Sequence, residues 1–179
     1  PRGSRDPAVR ALAKRERADY KRFFGIVNKH LVIYSERSGF YKYYEALIDG
    51  LLKSSNITIH YITSDPDDAV FELAKTQPRI RPYYIGLKKL IPLMMRLDAD
   101  MVAMTTPDLD TFYIKRSLVR KDAEYIYVPH DMMSIHMGFH KGALDHFDTV
   151  FATGPHVERE IRSTERVYGL PEKTVVPFG

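Results

Sequence analysis

The chain has 179 residues, 44% hydrophobic and 28% charged, with a formal net charge of +4 and no cysteine. A disulfide scaffold, a thiolate metal site and a cysteine nucleophile are therefore excluded, and whole-chain disorder does not fit so apolar a composition. The length suits one domain, no apolar run approaches the ~18 residues of a membrane span, and no signal-peptide pattern is visible.

Residues 1–29 hold nine Lys/Arg against three Asp/Glu, whereas the remainder carries 18 bases and 20 acids. The body is thus not basic, and a nucleic-acid surface is not expected. Residues 1–4 (PRGS) read as the remnant of a cleavable expression tag and stay outside the fold reasoning. Residues 5–29 form a basic arm, rich in helix-favouring Ala, Arg, Lys and Glu over 8–24. Val9, Leu12, Ala13, Tyr20, Phe23 and Phe24 fall on one side, but Glu16 and Arg17 interrupt the stripe. Such a segment either docks on the domain by its aromatic end or lies near an anionic bilayer.

From residue 30 onward, short apolar runs alternate with helical patterns. The continuous run 30–35 predicts a strand covered on both faces. Phe40, Tyr44, Leu47, Ile48 and Leu51 follow helical spacing. Residues 57–63 read as a second strand, and Asp65 with Pro66 as the cap and first position of a helix. A weaker strand at 80–85 contains Pro82, which suits an edge. Leu87, Leu90, Ile91, Met94 and Leu97 predict a helix that Pro92 kinks or starts. Further strands are expected at 100–105, 125–128, 149–152 and 173–176, with a short helix at 142–147. A helix from Pro155 to Tyr168, stopped by Gly169, carries a stripe of Val157, Ile161, Thr164 and Tyr168.

This alternation predicts an α/β domain: a mostly parallel sheet of about six or seven strands with helices on both faces, a three-layer α/β/α arrangement. Ligands of such sheets meet the loops after the strands, here 35–39, 64–68, 105–110, 129–138 and 153–156. His130 emerges at a strand end, where an imidazole suits a general base or a backbone-bonded loop residue equally. His130, His136, His140 and His146 do not follow a tight metal-ligand spacing, so no metal is expected. Gly154 and Pro155 start a helix whose N-terminus could hold an anion or be a plain cap. Lys115 and Arg116 could bind phosphate or sit on a surface helix, and Glu36 could orient a hydroxyl or cap the next helix. No P-loop, G-x-G-x-x-G, G-x-S-x-G or kinase signature is present.

Several phrases together resemble one family: YITSD at 61–65, DADMVAMTTPDL at 98–109, KRS at 115–117, YIYVPH at 125–130 with Ser134, GPHVEREI at 154–161 and VPFG at 176–179. In order and spacing they resemble the amino-terminal half of the CDP-glycerol glycerophosphotransferases, the primases and polymerases of teichoic acid-like cell-surface polymers. The resemblance covers residues 30–179. It implies a Rossmann-like domain forming the acceptor-side half of a GT-B architecture, with a nucleotide-binding second domain to follow Gly179. It implies transfer of glycerol phosphate from a CDP-alditol donor to a polyol-phosphate or lipid-linked acceptor, with His130 as general base and no cofactor. Glu36, Thr106, Asp108, Lys115, Arg116, Ser134, His136 and Gly154 are the expected substrate contacts. The family motif reads His-Gly, whereas Asp131 follows His130 here. The implied location is the cytoplasm, on the inner face of the membrane where the basic arm would meet anionic lipid. Two alternatives stand beside this expectation: another GT-B glycosyltransferase using a nucleotide sugar, and a non-catalytic Rossmann-like scaffold or peripheral membrane module.

Overall fold

A computed structural model describes residues 5–110, 113–130 and 142–178. Its centre is a seven-stranded sheet in the order β3-β2-β1-β4-β5-β6-β7. The strands are β1 (Lys29–Ser35), β2 (Ile59–Thr63), β3 (Ile80–Tyr84), β4 (Ala99–Met104), β5 (Glu124–Tyr127), β6 (Thr149–Ala152) and β7 (Thr174–Pro177). Every pairing is parallel. The helices are α1 (Pro7–Phe24), α2 (Tyr41–Ser54) behind a 3-10 turn at Ser38–Phe40, α3 (Val70–Leu73), α4 (Leu87–Met95) and α5 (Pro155–Tyr168). This is a Rossmann-like α/β domain.

The sheet is covered on both faces, which is why its strands read as continuous apolar runs. Alternation along β1 sends Val32 and Tyr34 to one core, with Leu90, Leu93, Met94, Val157 and Ile161 of α4 and α5. Leu31 and Ile33 go to the other, with Tyr44 and Ile48 of α2 and Val70 of α3. Pro92 sits inside α4 and removes one donor from a nine-residue helix. Gly169 ends α5 with φ 63°, a left-handed value that a residue without Cβ adopts at no steric cost.

Three local expectations are corrected. Residues 142–147 form turns rather than a helix, opened by Gly142 at φ 85°. Asp65 does not cap a helix at Pro66; α3 starts later, where Asp68 Oδ1 accepts the Val70 N–H at 3.0 Å. On α5, Glu165 rather than Tyr168 completes the buried stripe, its carboxylate accepting the Lys173 N–H at 2.9 Å, while Tyr168 is half exposed.

The arm is a helix docked through its aromatic end. Phe23 is fully buried and meets Tyr83 edge-on, with Tyr20 and Phe24 packed against the same core. Polar side chains of α1 also meet the open edge of β3. Asp19 Oδ2 accepts the Tyr84 N–H at 2.8 Å, Glu16 Oε2 accepts the Gly86 N–H at 2.6 Å, and Arg22 donates to the Pro82 carbonyl. Glu16, Asp19 and Arg22 recur every three residues, so one face of α1 answers the unpaired groups of an edge strand. Arg10, Lys14, Arg17 and Lys21 remain exposed. Among the described residues no helix is long and apolar enough to cross a membrane.

Candidate functional site

The connections of the sheet run outward one way through β1, β2 and β3, then the other way through β4 to β7. The reversal falls between β1 and β4, and the crevice outside their carboxyl ends is where open α/β sheets bind ligands. A cleft of about 580 Å³ lies there, lined by residues that include Tyr34, Glu36, Arg37, Ser64, Thr106 and Asp108. That volume falls within the usual range of small-molecule sites, about 300–1,000 Å³.

Its floor is tied by hydrogen bonds between neighbouring strand ends. Thr106 Oγ1 donates to Glu36 Oε1 at 2.8 Å. The Tyr34 hydroxyl and Ser64 Oγ lie 2.9 Å apart, and Ser64 Oγ also bonds the Ile85 carbonyl at 2.8 Å. Burial pushes the Tyr34 phenol up to about 12, so it stays protonated and serves as a hydrogen-bond partner rather than a base. The loops after β1 and β2 are bound together: Asp65 Oδ2 accepts the Ser38 N–H at 3.1 Å, and Ser38 Oγ accepts the Ala69 N–H at 2.9 Å. Asp108 and Asp110 adopt left-handed φ values of 63° and 67°. Both are held by backbone bonds, Asp108 N–H to the Ala143 carbonyl at 2.7 Å and Asp110 N–H to the Ile114 carbonyl at 2.8 Å. Left-handed non-glycine residues beside a cleft are a recurrent mark of binding loops. Leu87 and Tyr113, 65% and 77% exposed, give the mouth an apolar rim.

His130 lies past β5, packed over the start of α2. Its imidazole stacks on Phe40 at 5.8 Å between centroids and 19° between planes, and meets Tyr43 edge-on at 6.0 Å. Arg37 joins the same ring, its guanidinium 5.0 Å from the Phe40 centroid. The exposed Arg37 therefore both lines the cleft and touches the ring that carries His130.

Glu36, Thr106 and Asp108 thus fall together at the cleft, with His130 close by through Phe40 and Arg37. Lys115 and Arg116 do not join them. Lys115 Nζ donates to the Asp110 carbonyl at 2.9 Å. Arg116 sits at the amino-terminal end of β5 and β6, bonded to the Ala123 and His146 carbonyls and to Asp148, over the Tyr125 ring. Its guanidinium is committed to holding the connection between β4 and β5, at the end of the sheet opposite the cleft. Gly154 caps α5 beside a second cavity of about 370 Å³ at the ends of β6 and β7. A Cβ at Gly154 would stand 2.9 Å from the ring of His156, an exposed side chain that can turn aside. Ser134 and His136 lie outside the described residues.

Sequence reading missed Arg37, Phe40 and Ser64. The run SERSGF at 35–40 carried the signal, a cation and an aromatic ring directly after a central strand. No protein-family model, curated protein or solved structure matches the chain.

Proposed function

We propose that this chain is the acceptor-side half of a two-domain transferase of the CDP-glycerol glycerophosphotransferase type. The position of His130 carries the reading: the family-like phrase YIYVPH runs out of β5 and sets an imidazole on the Phe40 ring, which also carries Arg37 of the crevice lining. In this reading His130 takes the proton of the acceptor hydroxyl. The acceptor oxygen then bonds to the phosphorus that carries glycerol, and the bond from that phosphorus to CMP breaks, with CMP leaving. Glu36 and Asp108 offer carboxylate oxygens to further hydroxyls of a polyol acceptor, and Thr106 fixes the Glu36 carboxylate. The donor nucleotide belongs to a second domain beyond Gly179.

The test is release of CMP from CDP-glycerol by the complete gene product with a polyol-phosphate acceptor. His130→Ala should cut turnover about 100-fold or more, the usual worth of a general base, and leave the fold intact. Near-normal turnover in that variant would refute the role of His130, and no turnover of any CDP-alditol by the intact protein would refute the reaction.

A further inference from the structure

Phe40 closes the 3-10 turn that leads into α2, and three side chains converge on its ring. His130 stacks at 5.8 Å, the Arg37 guanidinium lies 5.0 Å from the centroid, and Tyr43 packs edge-on at 5.6 Å. Arg37 follows β1 and His130 follows β5, and β4 separates those strands. No ladder joins β1 to β5 directly, since each pairs with β4, and the Phe40 ring is a contact that both side chains make. Both contacts are specific in geometry, one a stack and the other a cation over a ring face.

Arg37 is exposed and lines the cleft, and its guanidinium carries a fork of donors that matches the oxygens of a phosphate. Among the described residues no ion pair engages it. One oxygen of the adjacent Glu36 carboxylate accepts the Thr106 hydroxyl. We propose that Phe40 is a positioning residue, holding Arg37 and His130 on one ring so that a phosphate group bound by the guanidinium stands beside the imidazole. This deepens the transferase reading and rests on it for its catalytic meaning, but the binding it requires is measurable without turnover.

The experiment is a titration of the 179-residue chain with inorganic phosphate, followed by the ring-proton NMR signals of His130. In the parent protein those signals should carry an upfield displacement from the Phe40 ring current and should move further as phosphate binds. Arg37→Gln, a change at an exposed residue, should weaken phosphate binding about fivefold or more. Phe40→Leu should abolish the upfield displacement and weaken binding about threefold, and Phe40→Tyr should restore both to within about twofold of the parent. Absence of phosphate binding to the parent, an unchanged affinity in Arg37→Gln, or His130 signals unmoved by Phe40→Leu would each overturn the proposal. Failure of His130→Ala to slow CMP release would instead remove the transferase reading and leave this binding result standing.

Discussion

The Thr106 hydroxyl donates a 2.8 Å hydrogen bond to the Glu36 carboxylate, and the two residues stand just beyond β4 and β1, the neighbouring strands between which the sheet's connections reverse. The bond closes the crevice floor and holds one carboxylate oxygen in place. A hydrogen bond to a charged group contributes about 1.5–3 kcal/mol when shielded, and about 1 kcal/mol is expected at this half-buried position. Thr106→Val keeps the shape and loses the donor, so its unfolding free energy in urea should fall by that amount and its midpoint with it, while Thr106→Ser should stay near the parent. An unchanged midpoint in Thr106→Val would show that the bond does not hold the site.

The contacts of α1 predict a second outcome. Asp19→Ala leaves the Tyr84 N–H of an edge strand without its carboxylate, at a cost of about 1–3 kcal/mol. Gly86→Ala acts from the other side, since a Cβ there would stand 2.7 Å from Glu16 Oε2 and push that acceptor away. Removing residues 5–24 should do more, taking Phe23 out of the core and baring the β3 edge to other chains. Light scattering should then show self-association absent from the intact chain. A truncated protein that scatters and melts like the parent would mean that α1 does not protect this edge.

Much of this architecture is readable from apolar patterning. The inner strands β1, β2 and β6 bury both faces, so they stand out as short apolar runs, and α2 and α5 show the helical spacing of their buried residues. The face of α1 was harder to see, because the half-buried Glu16 and Asp19 answer backbone N–H groups 70 and 65 residues away in sequence, a contact without a hydrophobic signature. The same holds at the site. Glu36 and Thr106 follow from standing after strands, whereas the convergence of Arg37 and His130 on Phe40 depends on which strands neighbour β4. Arg116 was misleading because the connection after β4 returns to the far end of the sheet before β5 begins, carrying its cation away from the cleft.

Asp110 holds a left-handed φ of 67° and accepts the Arg116 N–H at 3.1 Å through Oδ1. Asp and Asn enter this region more readily than other residues with a Cβ, which meet a steric cost of about 1–2 kcal/mol. Asp110→Ala loses both the tolerance and the acceptor, so it should destabilise by about 1–2 kcal/mol. Asp110→Asn should stay close to the parent, and Asp110→Gly should fall between, trading relief of strain against the lost bond and greater chain entropy. Thermal unfolding gives the order directly, and an alanine variant as stable as the parent would show that the loop does not depend on this conformation.

His60 provides the pH dependence. It lies buried in β2, its Nδ1 3.0 Å from the Tyr83 hydroxyl and its ring stacked on Tyr83 at 6.0 Å. Burial, assisted by the positive charges of Lys29, Arg81, Arg22 and His30, pushes its pKa down from 6.5 to about 4. In the unfolded chain the imidazole titrates near its ordinary value, so below pH ~6.5 the unfolded state binds a proton that the folded state refuses until pH ~4. Stability from this group is complete above pH ~6.5 and is lost as the pH falls toward ~4, with a slope of up to about 1.4 kcal/mol per pH unit. Carboxylates held by Arg120, Asp100 and Asp122, titrate below their ordinary range and add their own loss at the acid end. The quantity to measure is therefore the difference between the parent and His60→Gln in urea unfolding from pH 7 to 4.5. The variant is expected to be less stable at pH 7, having lost the ring packing, and to lose less on acidification, so the two curves converge. Parallel curves would mean that the folded protein protonates His60 as readily as the unfolded chain does.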